Sequence, residues 1–486
     1  MKSGIRIFAA ATLSFLLLTG CSPEGKKDSV LSYAVTDPIQ DLAVLEEYTN
    51  LESADLRGYH NYEEIMAYVA AHPEVEVTYD VVICGQTVSH DVAELTLSPA
   101  GLSFEDLLAN LKYLPDLNKL QLADTELTAQ QIQQLREAYP GIDITYSVRI
   151  GANTYDAAVQ WLDLSGLTRE EIMNSLSSLS LLENVKNVEL MNGSGKSPLE
   201  LVDVSTLQDT LPDTFFHYIF DLFGKTVTTS DEIVEFDEVP IGNEGEERIR
   251  QALDVLDSCT YFKLDDCGID NEIMAKIRED YPDTKVVWRV HIEPFSMLTD
   301  ETMLRLTFHL TNDNIHDLKY LNDVTYLDVG HNSPLTDLSF IQYMPKLECV
   351  IISGSNVVDV SVFQHCPNLV WLEMCFCYNI EDISFLKDHK TLKYLNISFS
   401  KVSDLSALDN VALERMMSMG IRANWEERHA FEEKHPDCIS VWEGKQPYGY
   451  GWRYNDYGYT FFEYYANMRI VFRYDERAYF GNHKEK

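Results

Sequence analysis

The chain has 486 residues, of which 78 are acidic and 38 are basic, and its formal net charge at pH 7 is −40. Such an acidic composition argues against nucleic-acid binding and against charge-driven adhesion to anionic lipid headgroups or wall polymers. We interpret it as a soluble, self-repelling surface. Attraction to a cationic partner or to divalent cations is the alternative, but the sequence has no EF-hand spacing for a defined calcium site.

The first 20 residues have the features of a lipoprotein signal peptide. Lys2 and Arg6 precede an apolar run over 7–18 that is too short for an ordinary membrane span. The tetrapeptide Leu-Thr-Gly-Cys then ends at Cys21, as in a lipobox. We predict cleavage before Cys21 and acylation of its thiol, each buried methylene contributing about 0.8 kcal/mol to membrane anchoring. An uncleaved anchor helix is the alternative. Residues 21–40 then form a lipidated tether.

Residues 41–310 repeat a unit of about 70 residues in which a proline is followed six residues later by an aromatic residue. Around these marks lie apolar patterns typical of leucine-rich repeats, most plainly Leu117-x-x-Leu120-x-Leu122. Such repeats bury their leucines only when neighbours stack on them. Helical spacing predicts helices over 62–71, 128–139, 169–181 and 271–281, and alternation predicts a strand over 75–83. Residues 224–247 fit the pattern poorly.

The repeats shorten to 21–23 residues between 311 and 420, opening at Val324, Leu347, Leu369, Leu392 and Leu413. These repeats are too short for a long outer helix, so we expect 3₁₀ turns or extended segments there. The sequence therefore predicts an α/β leucine-rich repeat solenoid, with parallel strands on the concave face and helices or 3₁₀ turns on the convex face. Residues 421–486 form a terminal repeat and an aromatic C-terminal cap.

Eight cysteines besides Cys21 would lie in an exported domain, where disulfides can form. Their positions in the repeat register favour buried thiols, and one or more disulfides is the alternative. A zinc site is disfavoured because the sequence has no Cys-x-x-Cys pair. Cys267 and Cys377 occupy the ninth repeat position, where asparagine is usual and a thiol can act as a weak hydrogen-bonding group.

The C-terminal stretch 448–480 holds 14 aromatic residues in 33 positions. A cap over the last repeat is one interpretation, because a solenoid end otherwise exposes leucines. Aromatic platforms also stack on sugar rings, which makes Trp452 and Tyr454 candidate glycan-binding residues.

The mature chain resembles a family of bacterial surface leucine-rich repeat lipoproteins, in which helix-bearing repeats precede internalin-like short repeats and a terminal aromatic segment. The resemblance is carried by the lipobox at Cys21 and by the short repeats over 318–416. It implies binding or surface scaffolding and supplies no catalytic residues. The sequence also lacks His-Glu-x-x-His, Gly-x-Ser-x-Gly and phosphate-binding loop motifs, so we expect no enzyme, cofactor or metal.

A candidate binding surface follows from the repeat register, because residues flanking the central leucine point away from the core. This places six residues side by side on the short repeats: Tyr326, Asp328, Trp371, Glu373, Tyr394 and Asn396. We call them the concave strip. A stripe that only shields the sheet or packs on a crossing segment is the alternative to a recognition surface.

We therefore expect a lipid-anchored extracytoplasmic monomer that binds a protein or peptide on the concave strip. A carbohydrate- or wall-binding module that uses the C-terminal aromatics is the alternative. If the strip is exposed, replacing Trp371 and Tyr394 with alanine should impair binding and change stability little.

Overall fold

The computed structural model describes residues 31–34, 42–444, 446–457 and 459–476. The predicted signal peptide and Cys21 lie outside the described residues. The chain divides into two compact units, residues 1–216 and 217–486. Residues Ser32–Ala34, within the predicted tether, form the first strand of the first unit and pair in parallel with Ser53–Asp55.

The first unit alternates short strands with helices, and its strands pair mostly in parallel. Its strands are β1 Ser32–Ala34, β2 Ser53–Asp55, β3 Glu76–Thr78, β4 Asp80–Ile83, β5 Gln86–Ser89, β6 Glu94–Leu97, β7 Lys119–Leu122, β8 Asp143–Ile150, β9 Asn153–Asp156, β10 Trp161–Asp163 and β11 Asn187–Glu189, and β12 Phe215–His217 lies at the junction. Its α-helices are α1 Tyr62–Ala71, α2 Phe104–Asn110, α3 Ala129–Ala138, α4 Arg169–Met173, α5 Leu176–Leu179 and α6 Leu201–Thr210, with 3₁₀ helices at Leu42–Glu47 and Leu111–Tyr113. Strands β4 with β5 and β8 with β9 form antiparallel hairpins.

The second unit begins with the same pattern and continues into the short repeats. Its strands are β13 Ile219–Leu222, β14 Lys225–Thr228, β15 Ile233–Asp237, β16 Tyr261–Asp265, β17 Lys285–Ile292, β18 Phe295–Leu298, β19 Met303–Arg305, β20 Tyr326–Asp328, β21 Cys349–Ile351, β22 Trp371–Glu373, β23 Tyr394–Asn396, β24 Arg415–Met417 and β25 Ile439–Val441. Its α-helices are α7 Glu246–Leu253, α8 Asn271–Asp280, α9 Trp425–Lys434 and α10 Glu463–Val471, with 3₁₀ helices at Asn243–Gly245, His316–Tyr320, Ser339–Tyr343, Ser361–His365, Ser384–Leu386 and Ser406–Leu408.

The predicted helices form where helical spacing and start signals coincide. Helix α1 has the predicted bounds, and α3 begins after Thr128, whose hydroxyl and Gln131 complete a capping box. The predicted helix over 169–181 is split into α4 and α5. At the break, Ser175 donates its hydroxyl to the Glu171 carbonyl, a back-bond that competes with the helical ladder.

Residues 224–247 adopt mostly extended structure rather than the helix that the repeat pattern calls for. Strand β14 pairs antiparallel with β13, and β15 pairs in parallel with β16. The helix of this repeat begins only at Glu246, after the turn that contains Pro240 and Gly242.

Strands β19 to β25 form a seven-stranded parallel sheet, and 3₁₀ helices provide the return segments as expected for short repeats. The leucines that open and fill these repeats are buried, and Leu347, Leu369, Leu372 and Leu395 have no exposed surface. This stacked parallel register establishes the α/β leucine-rich repeat solenoid.

The ninth repeat position bonds the backbone of the neighbouring repeat. Asn332 donates its amide to the carbonyls of Leu306 and Val329, each at 2.8 Å. Cys377 makes the same kind of contact, with its Sγ 3.3 Å from the Ile352 carbonyl. The predicted substitution of a thiol for asparagine is confirmed at this position.

The eight cysteines in the described part of the chain are all thiols, and seven of them are buried. Among the described residues, no group of three or more His, Cys, Asp or Glu side chains is placed to hold a metal ion. A search of the same residues finds no helix with the length and apolarity to cross a membrane.

Candidate functional site: the concave strip and its C-terminal cover

The register predicted for the concave strip is correct. Tyr326, Cys349, Trp371 and Tyr394 are successive partners across β20 to β23. Asp328, Ile351, Glu373 and Asn396 form the parallel column on the same strands. The two columns therefore place aromatic rings beside carboxylate and amide groups on one face of the sheet.

The expected exposure of this strip is wrong. Trp371, Glu373, Asn396, Asp328 and Tyr394 are buried, and only Tyr326 is half-buried. The cause is a stretch near the C-terminus that lies across the strip. We call residues 446–476 the C-terminal segment; its described parts are 446–457 and 459–476. Packing on a crossing segment, the alternative left open by the sequence, is thus what the structure contains.

The cover extends well beyond the last repeat. Strand β25 ends the sheet, yet the segment contacts residues on strands well before it. Tyr474 reaches Asp328 on β20, Met468 reaches Cys349 on β21, and Asn455 reaches Arg415 on β24. The segment therefore lies along the face of the sheet, crossing successive strands.

Aromatic packing forms the apolar part of this contact. Trp371 lies at the centre, with ring centroids 4.0 Å from Trp452 and 5.7 Å from Tyr464, the latter nearly parallel. Tyr394 meets Phe462 edge-on at 5.1 Å. The segment's own anchors are buried, and they are Trp452, Tyr465, Met468 and Phe472.

Glu373 is the polar centre of the contact. The Trp452 indole donates its N–H to Glu373 Oε2 at 2.7 Å, and Arg453 Nη2 donates to Glu373 Oε1 at 2.6 Å. Two adjacent residues of the segment thus satisfy both oxygens of a carboxylate whose side chain is 1% exposed. Pairing of this kind is what allows a charge to be buried.

Further hydrogen bonds hold both ends of the segment. Asn396 donates its amide to the Pro447 carbonyl at 2.8 Å, and Arg415 Nη2 donates to Asn455 Oδ1 at 2.6 Å. The Tyr474 hydroxyl donates to Asp328 Oδ2. Burial raises the pKa of Asp328 despite this bond, and burial beside Asp328 also raises the pKa of Tyr474 well above its usual value.

The candidate glycan-binding residues occupy different environments. Trp452 is fully buried, so its ring offers no platform to a sugar. Tyr454 is half-buried and stacks on Phe461 with centroids 5.1 Å apart. The exposed rings of this stretch include Tyr450 and Tyr457, which stack on each other at 4.6 Å.

Sequence reasoning missed the residues that complete the site, chiefly Arg453 and Tyr474. A partial signal was present, because Tyr465, Met468 and Phe472 follow the i, i+3, i+7 spacing of one helical face. Nothing in the repeat spacing says which face of the solenoid such a helix covers.

No protein-family model matches this chain, and no curated protein matches it. Among solved structures, 113 chains are similar. An internalin, InlF, from Listeria monocytogenes is 15% identical over 73% of this chain and 83% of that chain, with a TM-score of 0.28. A leucine-rich repeat protein of Leptospira interrogans is 16% identical over 82% of this chain and 91% of that one, with a TM-score of 0.26. These likenesses concern the fold alone.

Proposed function

We propose that this protein is a lipid-anchored, extracytoplasmic leucine-rich repeat protein that binds a protein or peptide partner through the concave strip. The observation that carries the proposal is the way the strip holds the C-terminal segment, by a central aromatic cluster and a paired buried carboxylate. Protein interfaces concentrate their binding free energy in such Trp, Tyr and Arg anchors. The role is binding rather than catalysis.

A partner that uses the strip must compete with the C-terminal segment. Weakening the segment should therefore raise partner binding, and changing the strip should lower it. We expect Trp452→Ala, which alters only the segment, to increase capture of surface proteins by the purified chain 22–486. Adding Glu373→Lys to that variant should abolish the gain, because it reverses the charge that the partner meets.

A glycan site that used Trp452 would lose binding with Trp452→Ala, but that ring is buried, so the glycan-binding alternative now depends on exposed rings such as Tyr450 and Tyr457. Binding to glycan arrays and to surface-protein extracts, measured with the same variants plus Tyr450→Ala/Tyr457→Ala, separates the two. Protein capture that falls with Trp452→Ala and ignores Glu373→Lys would contradict binding at the strip.

Membrane attachment is proposed to depend on acylated Cys21. We expect Cys21→Ser to leave an unprocessed precursor or to release the protein, because the apolar run over 7–18 is too short to span a bilayer comfortably. Detergent-phase partitioning and the mass of the N-terminal peptide measure this. A Cys21→Ser chain that has lost residues 1–20 yet still partitions into detergent would refute the lipid anchor.

A further inference from the structure

Without the C-terminal segment, the solenoid offers few hydrogen-bond donors to the two carboxylates of the strip, Glu373 and Asp328. On Glu373, the contacts from the sheet side are the Ser353 hydroxyl at 3.4 Å and the Cys375 thiol at 3.9 Å. The short bonds, at 2.6 and 2.7 Å, come from Arg453 and Trp452. Neutral contacts at the longer distances do not offset the burial of a carboxylate. An occupant that excludes water from this strip therefore binds best if it brings a cation to the Glu373 carboxylate.

The second carboxylate, Asp328, also takes a hydrogen bond from the segment, although it has a backbone donor of its own. Asp328 accepts the Gly330 backbone N–H at 3.0 Å from the sheet side and the Tyr474 hydroxyl from the segment. Arg305 on β19 lies over the Tyr474 ring, with its guanidinium carbon 4.9 Å from the centroid. A hydroxyl donor on an aromatic ring that lies against the arginine therefore fits this place.

The apolar wall between the carboxylates fits one face of a short helix. Helix α10 spans nine residues and presents Tyr465 and Met468 to the strip, followed by Phe472 just after its end. These three fill the space around Cys349, Ile351 and Trp371. The occupant is thus an amphipathic helix that follows a tryptophan and an arginine adjacent to each other in the sequence. Its apolar face packs in a groove, as in helix-in-groove recognition.

The segment is joined to the solenoid through an accessible link. Glu443, Gly444 and Gln446 are exposed, and β25 ends at Val441. A short link of this kind gives a tethered ligand an effective concentration in the millimolar range, so a free competitor is at a disadvantage until the tether is cut or the segment is weakened.

We infer that the concave strip is a binding site for aromatic, arginine-containing peptides, in which an adjacent Trp-Arg pair docks on Glu373 and a Tyr hydroxyl docks on Asp328, and that residues 446–476 are its resident occupant. The inference rests on the proposed function and specifies the chemistry of the partner.

The test uses the full chain with a protease site inserted at Lys445. Cleavage there cuts the covalent link, and we expect the segment to stay bound by its noncovalent contacts. The probe is a fluorescent synthetic peptide of residues 446–476, and anisotropy follows its exchange with the cleaved segment. Matched peptides carry Trp452→Ala, Arg453→Gln or, as a control at an 83% exposed position, Tyr457→Ala. Circular dichroism and thermal melting of the cleaved protein establish that the solenoid stays folded.

We expect the parent and Tyr457→Ala peptides to exchange with similar affinity. The Arg453→Gln peptide should bind about 100-fold more weakly or worse, because it leaves Glu373 buried without a cation. The Trp452→Ala peptide should also bind much more weakly, through loss of its ring contacts and indole N–H. Glu373→Gln in the protein should reduce the difference between the parent and Arg453→Gln peptides.

Two failures are distinguishable. A folded, cleaved protein that never exchanges its segment, even with excess peptide, would make the segment a permanent part of the core and overturn the inference and the proposed site together. Exchange with equal affinity for all four peptides would overturn the Trp-Arg requirement and leave the strip as a binding surface of another specificity.

Discussion

Arg453→Gln should loosen the C-terminal segment by about 3 kcal/mol, near the lower end of what is lost when one partner of a buried ion pair is removed. The substitution leaves Glu373, whose side chain is 1% exposed, without its cation. We expect a loss at the lower end of the range because the Arg453 side chain is 27% exposed in the parent protein, so water already screens part of the pair. Hydrogen exchange in helix α10 measures this opening directly, without assuming that the two units unfold together.

The double variant Arg453→Gln/Glu373→Gln should recover much of that loss, since it removes the stranded charge as well as the pair. The matched control is Lys393→Gln, which breaks the exposed pair between Lys393 and Glu414 and should cost at most about 1 kcal/mol. If the free-energy effects of Arg453→Gln and Glu373→Gln simply add in the double variant, Arg453 and Glu373 are not energetically coupled.

The architecture of the solenoid could be predicted because it depends on the short-range periodicity of apolar residues along the chain. Leucine spacing aligned Tyr326, Trp371 and Tyr394 correctly across strands, since a strand with period two fixes which side chains share a face. The thiol at Cys377 followed from the same register. Where the register carries a competing local signal, as at Ser175, the predicted helix is interrupted.

The cover on the strip could not be predicted in the same way. The bonds from Trp452 and Arg453 to Glu373 span 79 and 80 residues, and no repeat spacing connects the two regions. The aromatic composition of 448–480 indicated that this stretch packs against another part of the chain. It did not indicate whether the stretch covers the end of the last repeat or the face of the sheet, because either position would bury the aromatic residues. The choice depends on the complementarity of particular groups, chiefly one carboxylate with one guanidinium.

The burial of Trp371 overturns the expectation that its replacement leaves stability unchanged. Trp371→Ala removes a fully buried ring in contact with Trp452, Tyr464, Tyr465 and Tyr394, and should cost about 3 to 5 kcal/mol. The control is Trp425→Ala in the same unit, where the side chain is 70% exposed and the expected change is within about 0.5 kcal/mol. Denaturation of the second unit, followed by hydrogen exchange of the short-repeat strands, measures both.

Trp371→Phe separates the ring's packing from its polar atom. Among the described residues, the Trp371 Nε1 atom is buried without a hydrogen-bond partner, and such a donor costs about 1 to 3 kcal/mol of desolvation. Phenylalanine loses part of the ring area but also removes this atom, so we expect Trp371→Phe to stay within about 1.5 kcal/mol of the parent. A loss as large as that of Trp371→Ala would contradict the expectation that removing the unpaired indole N–H offsets part of the lost packing.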